Sequence, residues 1–186
     1  MPFSQSSQIT SIVRYIEKIN PASLLDVGTG MGQYGFLSRI NLENVNLFKI
    51  EDGRGFQRPK REWRVRIDGI EGFREYITPV HEWCYDDIMI GDARRLLPSI
   101  PDDTYEMVIA VDILEHFTKQ DGFEFLNQIR RIASRSVLVS TPKSFVAQEV
   151  EANPYENHRS VWGLDELQRY GFDTVIDNDE SWIVCS

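Results

Sequence analysis

The chain has 186 residues, 41% of them hydrophobic, which is enough for one well-buried domain and too few for two ordinary ones. Its formal net charge of −9 repels phosphate backbones, which excludes general duplex binding unless a local basic patch dominates. Cys84 and Cys185 show no metal-ligand spacing, the polar, uncharged N-terminal stretch predicts no signal peptide, and no apolar run could span a bilayer. We therefore expect one cytoplasmic domain over 1–186, with free thiols and no metal.

An amphipathic helix is predicted near the N-terminus. Isoleucines at 9, 12, 16 and 19 recur at helical spacing, and Asn20-Pro21 ends the pattern. The predicted helix covers about 7–20, and core packing is enough to explain its apolar face.

The glycine-rich stretch 23–35 is the strongest signal in the chain. An apolar run, Leu24–Val27, predicts a strand, and a helix is predicted from Phe36. Glycines at 28, 30, 32 and 35 allow a sharp turn and the close approach of a ligand. The match to G-x-G-x-x-G over 30–35 is weak support for a nicotinamide cofactor. Asp26 argues against that cofactor, since a carboxylate at the strand mouth would repel a pyrophosphate and attract an ammonium group.

The segment 41–63 is longer than a simple connection between a helix and a strand needs. Together with the residues up to 66 it holds the one basic stretch of an acidic protein. Two interpretations are open, a substrate-facing loop that attracts an anion and a solvated, partly disordered insertion. We favour the second, because runs of charge are usually solvated.

Two more strands are predicted to end in acidic residues. The segment 64–71 alternates and ends at Glu71, and 87–93 contains Gly91-Asp92-Ala93 at its end. Between them, 73–77 predicts a helix that Pro79 interrupts. The carboxyl edge of a parallel sheet is where open α/β folds bind ligands, so we expect these acids to line a site.

The second half of the chain continues the alternation of strands and helices. Strands are predicted over 105–111 and 136–142, a helix over 122–132, and two closing strands over 172–176 and 182–185. The loop 153–162 is polar and aromatic together, which makes it a candidate substrate loop.

Two strings of this sequence carry a family resemblance. Asp26-Val27-Gly28-Thr29-Gly30-Met31-Gly32 resembles motif I of the class I S-adenosylmethionine (SAM)-dependent methyltransferases, and Asp112-Ile113-Leu114-Glu115-His116 resembles the D-x-L-E-H string of its small-molecule members. The resemblance implies an α/β fold, a three-layer αβα sandwich with a seven-stranded, mostly parallel sheet whose last strand is antiparallel. It also implies SAM as cofactor, with these cofactor-binding residues: Asp26, Gly28, Thr29, Gly30, Gly32, Glu71, Gly91, Asp92, Ala93 and Asp112.

The roles of the acids follow from the same resemblance. Asp26 would face the amino end of the methionine moiety, and Glu71 would accept hydrogen bonds from both ribose hydroxyls. Asp92 would meet the adenine amino group, with the next backbone amide, that of Ala93, on a ring nitrogen. Asp112 would line the floor where the methyl group transfers. The reaction implied is in-line attack of an acceptor on the sulfonium methyl.

The acceptor is the least determined part of the prediction. We expect a small molecule, with an RNA or protein acceptor as an alternative, and either a monomer or a homodimer. His116 and His158 are candidate catalytic bases, and Tyr155, His158 and Trp162 are candidate substrate contacts. Two other functions remain open: a SAM-binding or protein- or RNA-interaction module without turnover, and a nicotinamide-dependent oxidoreductase.

Overall fold

A seven-stranded sheet forms the centre of the computed structural model, which describes residues 6–186. Within these residues there are nine strands, numbered in order: β1 (Ser23–Val27), β2 (Phe48–Glu51), β3 (Arg54–Gln57), β4 (Arg66–Glu71), β5 (Asp87–Ile90), β6 (Tyr105–Val111), β7 (Ala133–Pro142), β8 (Thr174–Ile176) and β9 (Ser181–Cys185). The central sheet has the order β5-β4-β1-β6-β7-β9-β8, and β2 pairs only with β3.

In this order, the five strands from β5 to β7 are parallel to one another, and β9 is antiparallel to both β7 and β8. The strand order reverses at β1, from which the chain moves first to β4 and β5 and then back to β6. Such a reversal opens a crevice at the carboxyl ends of the strands. The predicted sheet, mostly parallel with an antiparallel last strand, is confirmed.

In the described part of the chain, six α-helices cover the two faces of the sheet: α1 (Ser6–Ile19), α2 (Gln33–Glu43), α3 (Pro79–Cys84), α4 (Ala93–Leu96), α5 (Lys119–Ile132) and α6 (Leu164–Arg169). Side chains of α1, α2 and α3 pack on one face, and those of α4, α5 and α6 pack on the other. The predicted three layers are therefore confirmed. None of the helices within residues 6–186 has the length and apolarity required to cross a membrane.

Apolar side chains of β1 and β6 point alternately to the two faces of the sheet, which explains why helices cover both faces. Leu25 and Val108 belong to the core under α4 to α6, whereas Leu24 and Met107 belong to the core under α1 to α3. All four are fully buried. Successive strand residues point to opposite faces, and burying a large apolar side chain contributes roughly 1.5–3 kcal/mol, so both layers of helices stabilise the same two strands.

The segment 41–63 does not form an irregular loop. After α2 it contains a short 3₁₀ turn and then the hairpin β2–β3, whose turn is Asp52-Gly53 with both φ angles positive. An Asp-Gly pair suits such a two-residue turn, which is why a hairpin forms here. Most hairpin side chains are exposed, so the expected solvation is confirmed, whereas the expectation of partial disorder is wrong because the strands pair.

Pro79 begins a helix and does not interrupt one. Residues 74–76 form only a 3₁₀ turn, and α3 starts at Pro79 with Thr78 as its N-cap. Proline fits the first helical position because the amide it lacks would have no partner there. The predicted helix over 73–77 is therefore wrong.

Candidate functional site

The turn between β1 and α2 is tied to the neighbouring strand. The amides of Gly28 and Thr29 both donate to the carbonyl of Ile70, at 2.8 and 3.2 Å. Gly28 and Gly30 have φ angles of +81° and +53°, which L-residues rarely adopt. A Cβ at Gly28 would lie 2.9 Å from Cδ1 of Ile113, so the turn also needs glycine for space.

Glu71, the last residue of β4, is held beside this turn. Its Oε2 accepts from the amide of Gly30 at 2.8 Å and from the Thr29 hydroxyl at 3.3 Å, and its Oε1 accepts from the amide of Phe73 at 2.8 Å. Burial raises the pKa of Glu71 above its usual value, and these donors oppose the shift. These three donors take three of the roughly four acceptor sites of the carboxylate, so one site is open, and a ligand donor that replaces the longest contact, from Thr29, would occupy a second.

A cavity of about 600 Å³ opens over the carboxyl ends of β1, β4, β5 and β6. This volume lies within the roughly 300–1,000 Å³ that is typical of small-molecule pockets. Eight of the ten predicted cofactor residues line it: Gly28, Thr29, Gly30, Glu71, Gly91, Asp92, Ala93 and Asp112. The structure therefore brings most of the predicted cofactor site around one cavity.

Asp92 performs a structural task at the edge of this cavity. Its carboxylate accepts from the backbone amide of Arg94 at 3.0 Å, which caps α4, and pairs with the Arg94 guanidinium at 2.7 Å. The hydrogen bond from Arg94 holds the pKa of Asp92 below its usual value. Asp92 is thus ionised and remains an acceptor.

The opposite wall of the cavity comes from the end of β6 and the 3₁₀ turn Leu114–His116. Asp112 accepts from the Ser140 hydroxyl at 2.8 Å and from the Gln8 side-chain amide at 2.5 Å. Glu115 is 4% exposed, and its Oε2 accepts from the Thr141 hydroxyl at 3.1 Å. Burial, and then the nearby charge of Asp112, raise the pKa of Glu115 well above its usual value.

Two histidines complete this wall. The rings of His116 and His158 lie with their centroids 4.9 Å apart, and both line the cavity. Burial, and then the neighbouring His158, lower the pKa of His116, so its imidazole is neutral at pH 7. A neutral imidazole can accept a proton or bind a metal ion.

By sequence, no protein-family model matches this chain and no curated protein matches it significantly. By structure it superimposes on many solved chains. A SAM-dependent methyltransferase from Archaeoglobus fulgidus aligns over 95% of this chain and 90% of its own, with a TM-score of 0.62 and 14% identity. Another from Aquifex aeolicus aligns over 97% and 92%, with a TM-score of 0.61 and 14% identity.

A third similar structure is magnesium protoporphyrin IX methyltransferase from Synechocystis PCC 6803, which contains bound SAH. It aligns over 96% of this chain and 80% of its own, with a TM-score of 0.61 and 12% identity. The chain has the class I methyltransferase fold. Identities this low establish the fold alone, so arguments about activity have to come from the site.

Asp26 departs from the role that the class I resemblance implies. It is 2% exposed, lies outside the cavity lining and accepts from the Tyr85 hydroxyl at 2.6 Å. The same hydroxyl accepts from the amide of Gly35 at 3.2 Å. Burial raises the pKa of Asp26 to about 7. The expected contact with the cofactor is therefore corrected: Asp26 braces the turn from behind.

Gly32 also lies away from the cavity lining. Its φ is +83°, and a Cβ there would lie 3.3 Å from side-chain atoms of Val80 and His81 in α3. The glycine allows α3 to pack against the start of α2. Its contribution to a cofactor site is thus through the shape of the turn.

Trp162 is the one predicted substrate contact that the structure places in the core. It is 1% exposed, and its Nε1 donates to the Leu114 carbonyl at 3.2 Å and to the Ser160 hydroxyl at 2.9 Å. Its ring occupies the space beside Gly122. The expected substrate contact is corrected, whereas Tyr155 and His158 do line the cavity.

His81, which carries no motif signal in the sequence, supports the turn between β1 and α2. Its Nδ1 accepts from the amide of Thr78 at 3.2 Å, so Nε2 carries the proton and lies 3.2 Å from the Thr29 hydroxyl. That hydroxyl then donates to Glu71. Burial lowers the pKa of His81, which keeps this neutral tautomer. Only its spacing three residues after Thr78, a capping-box distance, could have indicated a local role.

Proposed function

We propose that this protein transfers a methyl group from SAM to a small-molecule acceptor. Glu71 is the observation that carries the proposal: a buried carboxylate at the end of β4, oriented by two backbone amides and lining the cavity. It is well suited to accept hydrogen bonds from both hydroxyls of a ribose. The class I fold and the size of the cavity support the same conclusion.

The residues present fit this cofactor. The left-handed glycines Gly28 and Gly30 leave room for close approach of a ligand to the turn, and Asp92 offers an ionised acceptor across the cavity from them. When bound, SAM supplies a methyl group on a positively charged sulfur. Glu71, Asp92 and the amide of Ala93 would hold its nucleoside, and Asp112 would border its methionine end.

The remaining task for the chain is to hold the acceptor in line with the methyl group. Correct alignment contributes much of the rate of such a transfer, because it replaces a bimolecular encounter by a positioned one. Glu115, His116 and His158 form the wall beside the space left for the acceptor. Neutral His116 is able to accept a proton there.

Calorimetric titration with SAM, S-adenosylhomocysteine and NAD, in parallel, tests the proposal. We expect micromolar binding of the first two and none of NAD. Binding of NAD alone would instead identify a nicotinamide-dependent enzyme. If none of the three binds, the cofactor assignment is wrong and an interaction module is favoured.

The exposed hairpin favours a second candidate, in which the acceptor is part of an RNA. Phe48, Ile50 and Phe56 are exposed there, beside the exposed basic residue Arg54, and Arg61 follows on an exposed turn. RNA binding that weakens steeply with salt, and weakens less in an Arg54→Ala/Arg61→Ala variant, would support it. An absence of RNA binding at low salt would remove it.

A further inference from the structure

We propose that Glu115, His116 and His158 bind a divalent transition-metal ion that activates an acceptor hydroxyl group. One ligand atom from each of the three residues can be chosen so that all lie within 4.8 Å of one another. The cluster lines the same cavity as Glu71, on the opposite wall. This inference rests on the proposed function for its role, although the metal site itself can be tested alone.

Each imidazole has a backbone carbonyl that fixes its tautomer. Nδ1 of His116 lies 3.3 Å from the Asn157 carbonyl, and Nδ1 of His158 lies 2.6 Å from the Val146 carbonyl. A carbonyl can only accept, so Nδ1 carries the proton in each ring and Nε2 keeps its lone pair. A backbone carbonyl that fixes the tautomer in this way is the common second partner of a metal-binding histidine.

Glu115 is the carboxylate of the cluster, and binding of a cation would release any proton that it carries. Its side chain is buried, and among residues 6–186 no Lys, Arg or His nitrogen lies within ion-pair distance of it. A buried carboxylate is costly unless it is paired or bound to a metal. Oε2 accepts a hydrogen bond from Thr141, which orients the group.

The loop that carries His158 is fastened to the turn that carries the other two ligands. The amides of Arg159 and Ser160 donate to the Glu115 carbonyl at 2.8 and 3.1 Å, and the amide of His158 donates to the Gln148 carbonyl at 3.0 Å. Ligand atoms on a tetrahedral zinc ion are about 3.3 Å apart, as its bond lengths require. Small side-chain rotations would therefore close this cluster on an ion.

The ligand types indicate which metals would bind. Two imidazoles and one carboxylate suit zinc and other first-row transition ions, whereas magnesium and calcium prefer oxygen alone. A catalytic site of this kind leaves a coordination position open for water or substrate. The open position would take the hydroxyl oxygen of the acceptor.

The step that follows balances without any further reactant. A metal-bound hydroxyl is far more acidic than a free one, so it releases its proton to water. The oxygen lone pair then forms the bond to the methyl carbon while the carbon–sulfur bond breaks, and its electron pair stays on sulfur. The products are a methyl ether and S-adenosylhomocysteine, and the metal ion is unchanged.

The test is titration of chelator-treated protein with CoCl₂, followed by visible absorption, and with ZnCl₂, followed by calorimetry. We expect one ion per chain, with cobalt bands typical of a low-coordinate nitrogen and oxygen site. His158→Ala should weaken binding at least about 100-fold, since loss of even a supporting partner costs 10–100-fold. Asp121→Asn, which alters a cavity carboxylate outside the cluster, should bind as the unmodified protein does.

A flat cobalt titration of the unmodified protein would overturn the metal site, and so would equal binding by His158→Ala. The wild-type titration decides this even if a variant fails to fold. SAM binding is measured on the same metal-free sample. If SAM binds and cobalt does not, only this inference fails; if cobalt binds and SAM does not, the proposed function fails and the metal site stands.

Discussion

The two walls of the cavity are built in different ways. The glycine-turn wall, from β1, β4 and β5, is ordered by backbone groups, with the amides of Gly30 and Phe73 both donating to Glu71. The opposite wall depends on side chains brought from separate segments, with His116 on a 3₁₀ turn and His158 on a loop.

This difference separates what a shared fold provides from what one protein adds. A wall made by strand ends and a tight turn can hold the same cofactor in many proteins. The side chains of a wall made by a loop can differ freely between proteins, and the acceptor that fits the site differs with them. The comparison predicts that changes on the first wall affect cofactor binding and that changes at His116 and His158 on the second affect chiefly the acceptor.

Glu71→Ala is expected to have the largest effect. It removes two charge-assisted hydrogen bonds to the ribose, worth roughly 1.5–3 kcal/mol each, and frees the amide of Gly30. SAM affinity should fall at least about 100-fold by calorimetry. Glu75→Ala, an exposed glutamate four residues away, is the control and should bind as before. Equal SAM affinity in the two variants would mean that Glu71 does not hold the cofactor.

Asp26→Asn tests the support behind the turn through its pH dependence. The folded carboxyl has a pKa of about 7, raised by burial from 3.8, so between these values the folded state binds more protons than the unfolded state. Its contribution to the unfolding free energy therefore falls as pH rises from about 4 to 7.

Relative to the wild type, Asp26→Asn should gain stability across that window, by on the order of 1–4 kcal/mol in total. Denaturant unfolding of both proteins at several pH values measures the difference. A difference that stays constant from pH 4 to 8 would mean that Asp26 titrates normally in the folded protein.

Gly35→Ala tests the same support by packing. A Cβ at Gly35 would overlap the buried ring of Tyr85, whose hydroxyl bonds Asp26. Overpacking of this kind costs about 1–3 kcal/mol of unfolding free energy. Gly55→Ala, in the hairpin, meets nothing within 4 Å and is the control. Similar denaturation midpoints for both variants would show that the turn has more room than the structure indicates.

Asp92→Asn should have a smaller effect. Asparagine caps a helix nearly as well as aspartate, so α4 should persist, but an ionised acceptor for the adenine amino group is lost. We expect SAM affinity to fall about tenfold or less, with little change in stability. A large loss of stability with unchanged affinity would leave Asp92 only its capping role.

His158→Ala should affect SAM binding least. The residue belongs to the acceptor wall, so SAM affinity should stay within about twofold while methyl transfer to a true acceptor is impaired. Turnover at the wild-type rate would remove His158 from the acceptor site. A large loss of SAM affinity would instead show that the two walls are not independent.

The features of the fold and site that could be predicted from the sequence are those that depend on residues close together in the chain. Strand periodicity and the glycine spacing predicted the strands and the turn, because alternation and positive φ angles leave direct marks in a sequence, whereas the sheet was implied by the family resemblance. The same marks placed Glu71 and Asp92 at strand ends, and the structure puts both beside one cavity.

The parts that were missed depend on contacts distant in the chain. Asp26 is covered by Tyr85, and Trp162 is covered by its own neighbours in the core. Neither contact leaves a signal in the residues next to it in the sequence. The pairing of His116 with His158 needs the loop to fold back on the turn after β6. Glu115 belongs to the D-x-L-E-H string that carries the family resemblance, but the sequence does not show that its side chain is buried.

A crystal structure of the complex with S-adenosylhomocysteine tests the central claim most directly. Both ribose hydroxyls should lie about 2.6–3.2 Å from the Glu71 carboxylate, with the adenine beside Asp92 and the sulfur facing the wall of Glu115 and His116. A nucleoside bound elsewhere, or a ribose without contact to Glu71, would contradict the assignment of the glycine-turn wall to the cofactor.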